Sequence, residues 1–143
     1  MRIGEIIKAK ASQDIVTIAP DAGVRELIAK LAEHNIGALI VSSDGQSLDG
    51  IVSERDVVRR LHSDGTVINN VVSAIMTDVV ETCAPEDDLD AVMHTMTERR
   101  FRHIPVVQGG ALVGIISIGD VVKHKIGQLE FERDQLDGYI HRS

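Results

Sequence analysis

The 143-residue chain has almost no aromatic side chains: two Phe, one Tyr and no Trp. With only Phe101, Phe131 and Tyr139 available, it lacks the platforms on which single-stranded nucleic acids stack their bases. Positive charge is in deficit as well. A formal net charge of -7 opposes a phosphodiester partner, because such binding rests on Lys and Arg neutralising phosphates. Cysteine is reduced to Cys83 alone, so no intramolecular disulfide can form and a reducing compartment is expected. Cys83 occupies the place that Ile18 holds earlier in the chain, which suits a buried strand residue better than a reactive thiol. No apolar run approaches the ~20 residues needed to span a bilayer. The opening Met1-Arg2-Ile3-Gly4-Glu5 has no signal-peptide pattern, so a cytoplasmic protein is expected, with neither membrane nor nucleic acid as partner.

Familiar catalytic and metal motifs are missing too. There is no Gly-x-Gly-x-x-Gly and no Walker A sequence, and Gly109-Gly110 reads as a hairpin turn. The six histidines show no His-x-x-x-His spacing, and no nucleophile is paired with a base, so neither metal ligands nor catalytic residues are assigned.

What the chain does have is one segment written twice. Thr17-Ile18-Ala19-Pro20-Asp21 opens the first copy and Thr82-Cys83-Ala84-Pro85-Glu86 the second. Gly50-Ile51-Val52-Ser53-Glu54-Arg55-Asp56 closes the first, and Gly114-Ile115-Ile116-Ser117-Ile118-Gly119-Asp120 the second. The offset is 65 residues at the front (17 to 82) and 64 at the back (50 to 114), so the copies differ in length by one residue. Two copies of a unit too small to bury its own apolar face should pack on one another.

Periodicity gives each copy the order β-α-β-β-α, an α+β fold. In the first, Val24, Leu27, Ile28, Leu31 and Ala32 recur at helical spacing, Ala38 to Val41 is a short buried strand, and Gly50-Ile51-Val52 is the next. In the second, Leu89, Val92, Met93 and Met96 mark the helix, and Ile104 to Val107 and Leu112 to Ile116 the strands. The expected limits are 7–62 and 73–126, followed by a helical tail over 127–143 with Leu129, Leu136 and Ile140 on one face. Pro105 inside a strand predicts an edge or a bulge, since proline cannot donate to the ladder.

Ser53-x-x-Asp56 and Ser117-x-x-Asp120 each stand where a strand meets a helix. One reading is a capping box. The other is a nucleotide cleft, in which the free N–H groups of the helix start favour phosphate and the carboxylate accepts from ribose hydroxyls. Duplication at equivalent positions favours the cleft. Arg99-Arg100-Phe101-Arg102-His103 is the sharpest basic cluster. Arg99 and Arg100 suit a solvated helix end, whereas Arg102 and His103 enter a strand and are placed to reach a cleft. Their counterparts Gly37 and Ala38 are small and neutral, so the two clefts should differ in charge, and Arg55 adds a phosphate contact to one of them.

These elements, in this order and duplicated, resemble a tandem pair of cystathionine β-synthase (CBS) domains, often called a Bateman module. The likeness spans nearly all of residues 7–126 and rests on the Thr-x-Ala-Pro openings, Arg102-His103-Ile104-Pro105-Val106 and the Gly-x-x-Ser-x-x-Asp endings. It implies two repeats packed about a pseudo-two-fold axis, homodimerisation into a flat disc, and adenosyl ligands (AMP, ADP, ATP, NAD or S-adenosylmethionine) between the repeats. It further implies that each cleft draws its opening strand from one repeat and its Ser-x-x-Asp from the other. One site would then join Thr17, Ala19, Gly37 and Ala38 to Ser117 and Asp120. The second would join Thr82, Ala84, Arg102 and His103 to Ser53, Arg55 and Asp56. Ile40 stands where the family often has the proline found at Pro105. The expected function is a nucleotide sensor signalling to an effector on another chain. The alternative is a structural dimerisation module with vestigial clefts, and an enzyme is disfavoured.

Overall fold

Each repeat builds a small β-sheet, and the core on each sheet is completed by a segment that lies outside its own repeat. The structure is a computed structural model and describes residues 1–10 and 15–142. The first repeat contains β1 (Thr17–Ile18), α2 (Val24–His34), β2 (Ala38–Val41), β3 (Gly50–Ser53) and α3 (Glu54–Ser63), after a short helix α1 (Ile3–Ala9). Strand β2 is central, parallel to β1 and antiparallel to β3, and all four of its residues are buried. Helix α2 presents Val24, Leu27 and Leu31 to this sheet at the expected 3–4 spacing. It stops at Asn35, whose left-handed φ of 51° places its N–H on the carbonyls of the last turn.

The second repeat contains α4 (Leu89–Arg99), β4 (His103–Gln108), β5 (Ala111–Ser117) and α5 (Ile118–Arg142). Its opening strand is reduced to one parallel bridge between Cys83 and Val106. The Cys83 N–H donates to the Pro105 carbonyl and the Val107 N–H donates to the Cys83 carbonyl. Pro105 is therefore interior to the pairing and enters through its carbonyl, so its missing N–H costs no bond. The predicted irregularity follows directly after it, as a register shift between Val106 and Val107.

There are two cores rather than one. Ile18, Leu27, Leu39, Val41 and Val52 anchor the first; Leu89, Met96, Ile104, Val106 and Ile116 anchor the second. Helix α1, which the sequence reading did not assign, precedes the first repeat yet buries Ile3 and Ile6 in the second core. Each such side chain contributes about 1.5–3 kcal/mol by leaving water. Val67, Val72 and Ile75, on the connection between the repeats, fill the first core instead. Two glycines permit these crossings. A Cβ at Gly50 would lie 2.7 Å from the Thr77 carbonyl oxygen, and one at Gly114 would lie 2.5 Å from Ile7 Cδ1. The glycine of each Gly-x-x-Ser ending thus admits the crossing segment.

Helix α5 continues through the expected tail as a single 25-residue helix. Leu129, Leu136 and Ile140 on it are all more than half exposed.

Candidate functional site

The two Ser-x-x-Asp elements form the same hydrogen-bonded corner twice. At the start of α3, the Ser53 N–H and hydroxyl donate to Asp56 Oδ2 at 2.8 and 3.0 Å, and the Asp56 N–H donates back to Ser53 Oγ at 3.3 Å. At the start of α5, the Ser117 N–H donates to Asp120 Oδ2 at 3.0 Å and the Asp120 N–H to Ser117 Oγ at 3.1 Å. Both are capping boxes. The box occupies one carboxylate oxygen in each case, and among the described residues no donor meets Oδ1, which can accept from a ligand. The capping and ligand readings are therefore compatible in geometry.

The backbone around them is also duplicated across the axis that relates the repeats. The Glu54 N–H donates to the Gly37 carbonyl at 3.0 Å, and the Ile118 N–H donates to the Arg102 carbonyl at 2.8 Å. Each helix start is thereby tied to the residue that leads into its own repeat's first long strand.

A cavity of about 410 Å³ opens beside Ser53 and Asp56. Arg55 and Arg59 line it from α3, and Arg99, Arg100, Phe101, Arg102 and His103 line it from the end of α4 and the start of β4. Thr77, Val79, Val80 and Glu81 close a further side, and Gly37 and Ala38 lie along it as well. Of the residues expected in this cleft, Ser53, Arg55, Asp56, Arg102 and His103 are brought together. Thr82 and Ala84 stand next to the lining stretch but outside it, and the Ala84 N–H is held by Asp87 Oδ2 at 2.8 Å. Gly37 and Ala38, expected with Asp120, line the Asp56 cavity as well. Gly37 has no Cβ, and the His103 imidazole fits against it, 3.5 Å from where that Cβ would be.

The other corner is differently filled. Lys10 Nζ reaches Asp120 Oδ2 at 2.9 Å and also donates to the Ile115 carbonyl at 2.9 Å. Burial raises the Asp120 carboxyl, but the Ser117 N–H and the Lys10 ammonium outweigh it, and the net shift is downward from the ordinary carboxylate value. Thr17 pairs in β1 opposite Ile40, its carbonyl accepts from Lys30 Nζ at 3.0 Å, and Ala19 is exposed beyond it. By the 65-residue offset the counterparts of Thr77 and Val79 are Ser12 and Asp14, which lie outside the described residues.

His103 stands between the two corners. Burial lowers its basicity; the Asp120 and Glu54 carboxylates oppose that, Lys10 and Arg102 add to it, and the net shift is below the ordinary histidine value. A neutral imidazole therefore sits where one cleft meets the other.

Arg59, Glu54 and the stretch Val79–Glu81 were not anticipated in the site, and Arg99 and Arg100 were expected in solvent. Arg55 and Arg59 are four apart on α3 and share a face, which was readable from spacing. The turn that brings Arg100 back to the cleft was less so: it depends on the left-handed Arg100 backbone, φ 59°, at the end of α4. Elsewhere, the Cys83 thiol is pushed up to about 12 by burial and then by the Asp87 charge, in keeping with a structural thiol. Among the described residues no His, Cys, Asp and Glu side chains are grouped as a metal site, and no helix is long and apolar enough to cross a membrane.

Comparison with known proteins agrees with this geometry. The CBS domain family is matched twice, over residues 3–63 and 72–127. The Arabidopsis thaliana protein named CBS domain-containing protein CBSX3, mitochondrial, is 34% identical over 146 aligned positions, covering 96% of this chain and 71% of its own length. The crystal structure of a CBS-domain-containing protein from Agrobacterium tumefaciens superposes with a TM-score of 0.83 at 38% identity, covering 87% of this chain and 99% of that one. The fold is shared by CBSX2, solved in complex with AMP, at a TM-score of 0.77 and 24% identity over 90% of this chain and 98% of that one.

Proposed function

This chain belongs to the CBS domain family, its two repeats packed about a pseudo-two-fold axis, and from that premise we propose that it is an adenine-nucleotide-binding regulatory module. The observation that carries the proposal is the cavity beside Asp56, where a carboxylate whose Oδ1 meets no donor among the described residues faces a cluster of arginines across the start of a helix. In this reading Asp56 Oδ1 accepts from the ribose hydroxyls, and the start of α3 with Arg55 and Arg102 receives phosphate. The backbone at Ala38 and Val80 borders the adenine. The CBSX2 complex with AMP supports an adenosyl ligand on this fold.

The second cleft, at Ser117 and Asp120, is proposed to be latched by Lys10 and to fill only when that ion pair opens. A ligand that favours one arrangement of the repeats shifts the population by its difference in affinity, and an effector protein would read the shift. No catalytic residue is part of the proposal, and the compartment is taken to be the cytoplasm, where Cys83 stays reduced.

Titration calorimetry with AMP, ATP and NAD against the wild type and Asp56→Asn tests this reading. Asn retains an oxygen for the Ser53 N–H and loses the charge. Binding weakened tenfold or more supports the assignment; equal binding by the variant removes Asp56 from the site.

A homodimer is also proposed, because Val58 and Leu61 of α3 and Val122 and Ile126 of α5 are exposed on equivalent faces. Light scattering on Ile126→Glu should then report a smaller particle than the wild type. A wild type that is already monomeric at the same concentration would end this part of the reading.

A further inference from the structure

Helix α5 outruns its counterpart in the first repeat. Helix α3 ends at Ser63, and the 64-residue offset between the repeats carries that end to Gly127, yet α5 runs on to Arg142. The family match stops at the same place, residue 127. Leu129, Leu136 and Tyr139 on the extension are more than half exposed. A helix of about 15 residues that packs on nothing is marginal in water, because nucleation is costly and most helical stability comes from burying an apolar face. The extension therefore calls for a cover. Its apolar side chains also fall on one seam. Val122, Ile126, Leu129, Leu136 and Ile140 follow one another in steps of 4, 3, 7 and 4, the a and d positions of a heptad, and Arg133 takes the a position between Leu129 and Leu136. Val122 and Ile126 belong to the second repeat and are 46% and 51% exposed. The seam thus starts on the face of the fold and continues into the tail, about 27 Å from Val122 to Ile140.

The charges along the seam select what covers it. A second copy of α5 brings the same residues, and only its direction is open. Parallel pairing sets Arg133 against the partner's Arg133 inside the seam and Glu132 beside the partner's Asp137, like charge on like charge. Antiparallel pairing centred on residue 131 sets Val122 against the partner's Ile140, Ile126 against the partner's Leu136, and Leu129 against the partner's Arg133. With their symmetric mates these make six layers, four of them wholly apolar, and no arginine meets another. Lys123 then flanks the partner's Asp137, an opposite-charge pair at each end. At the centre Glu130 and Glu132 approach their own copies, and the two Arg133 side chains lie among them and offset that repulsion. The seam is complementary to its own reverse.

We infer that the α5 tails of two copies of this chain pair antiparallel, centred on residue 131, so that the tail is an interaction element added to the repeats. The inference rests on the homodimer reading above and extends it beyond residue 127. Sedimentation equilibrium on the full chain and on Leu136→Glu tests it, with circular dichroism to check that the repeats stay folded. Leu136 lies outside both repeats, so its replacement should raise the dimer dissociation constant at least tenfold and leave the fold intact. Added cysteines fix the direction, since Cys83 is buried and stays out of the reaction. Ile126→Cys and Leu136→Cys, refolded together and oxidised, should give a disulfide-linked dimer that neither gives alone, because each position faces the other across the pair. A Leu136→Glu chain that dimerises like the wild type, a disulfide formed by Leu136→Cys alone, or none formed by the mixture overturns the tail pairing and leaves the homodimer reading standing. A monomeric wild type overturns both.

Discussion

Replacing Lys10 with Met separates a structural ion pair from a regulatory one. The substitution keeps the unbranched stem and removes the ammonium that meets Asp120 Oδ2 and the Ile115 carbonyl, both at 2.9 Å. The side chains of Lys10 and Asp120 are 30% and 24% exposed, so the pair lies between a solvent-screened bridge and a buried one. Exposed pairs contribute about 0–1 kcal/mol, and hydrogen bonds to charged groups about 1.5–3 kcal/mol. A figure of about 1 kcal/mol follows for this half-screened contact. For a chain of this length that lowers Tm by about 3–4 °C. The same ~1 kcal/mol no longer opposes a ligand at Asp120, so affinity there should rise about fivefold. Calorimetry with ATP is the assay: one site per wild-type chain becomes two in Lys10→Met, while differential scanning fluorimetry reports the drop in Tm. A lower Tm with unchanged stoichiometry would reduce Lys10 to a structural contact. Two sites in the wild-type chain falling to one in Lys10→Met would mean that Lys10 serves the ligand rather than guarding the carboxylate.

Three further outcomes follow from the packing and the buried groups. Gly50→Ala drives a Cβ to 2.7 Å from a backbone carbonyl that cannot swing aside, so it should cost about 1–3 kcal/mol in urea unfolding and weaken nucleotide binding through Thr77; a neutral result would show that the crossing segment shifts freely. His103 is held below its ordinary value mainly by burial, so the fold binds fewer protons there than the unfolded chain does; its contribution is complete above about pH 6.5 and lost as pH falls toward the depressed value. The urea midpoint should decline from pH 7 to 5 in the wild type, and the decline should be shallower in His103→Gln; matching profiles would clear His103 of the effect. Cys83, raised to about 12 by burial, should react with iodoacetamide at pH 8 only as fast as the protein opens, and prompt modification of the folded chain would contradict its buried position.

The duplicated pattern was legible because it is periodic: the buried faces of α2 and α4 and the strands β2 to β5 recur where apolar spacing puts them. The Ser-x-x-Asp corners were legible for the same reason, and they close as capping boxes whose Oδ1 meets no donor among the described residues. Helix α1 was hidden because seven residues with Ile3 and Ile6 as their buried pair carry too little period to register. The opening strand of the second copy shrank to a bridge because only Cys83 finds a partner strand in β4. Within the site, the sequence grouped Arg55, Arg102 and His103 with Ser53 and Asp56, but left Arg59 and Lys10 unplaced. His103 packs against the bare Cα of Gly37, and Lys10 reaches Asp120 across 110 residues of chain. No local spacing announces a contact of that range.

The crossing of α1 onto the second core has a consequence for the order in which this protein is made. Ile3 and Ile6 leave the ribosome before their partners Leu89, Ile104 and Ile116, which come roughly a hundred residues later. At about 5–20 residues per second, that is a wait of roughly 5–20 s with two isoleucines unhoused. The first repeat faces a shorter delay, since Val67, Val72 and Ile75 follow directly behind it. The nascent chain therefore completes the first core early and holds α1 open until the second core is made. Once α1 docks, neither half can loosen without uncovering a piece of the other, and the two repeats should unfold as one.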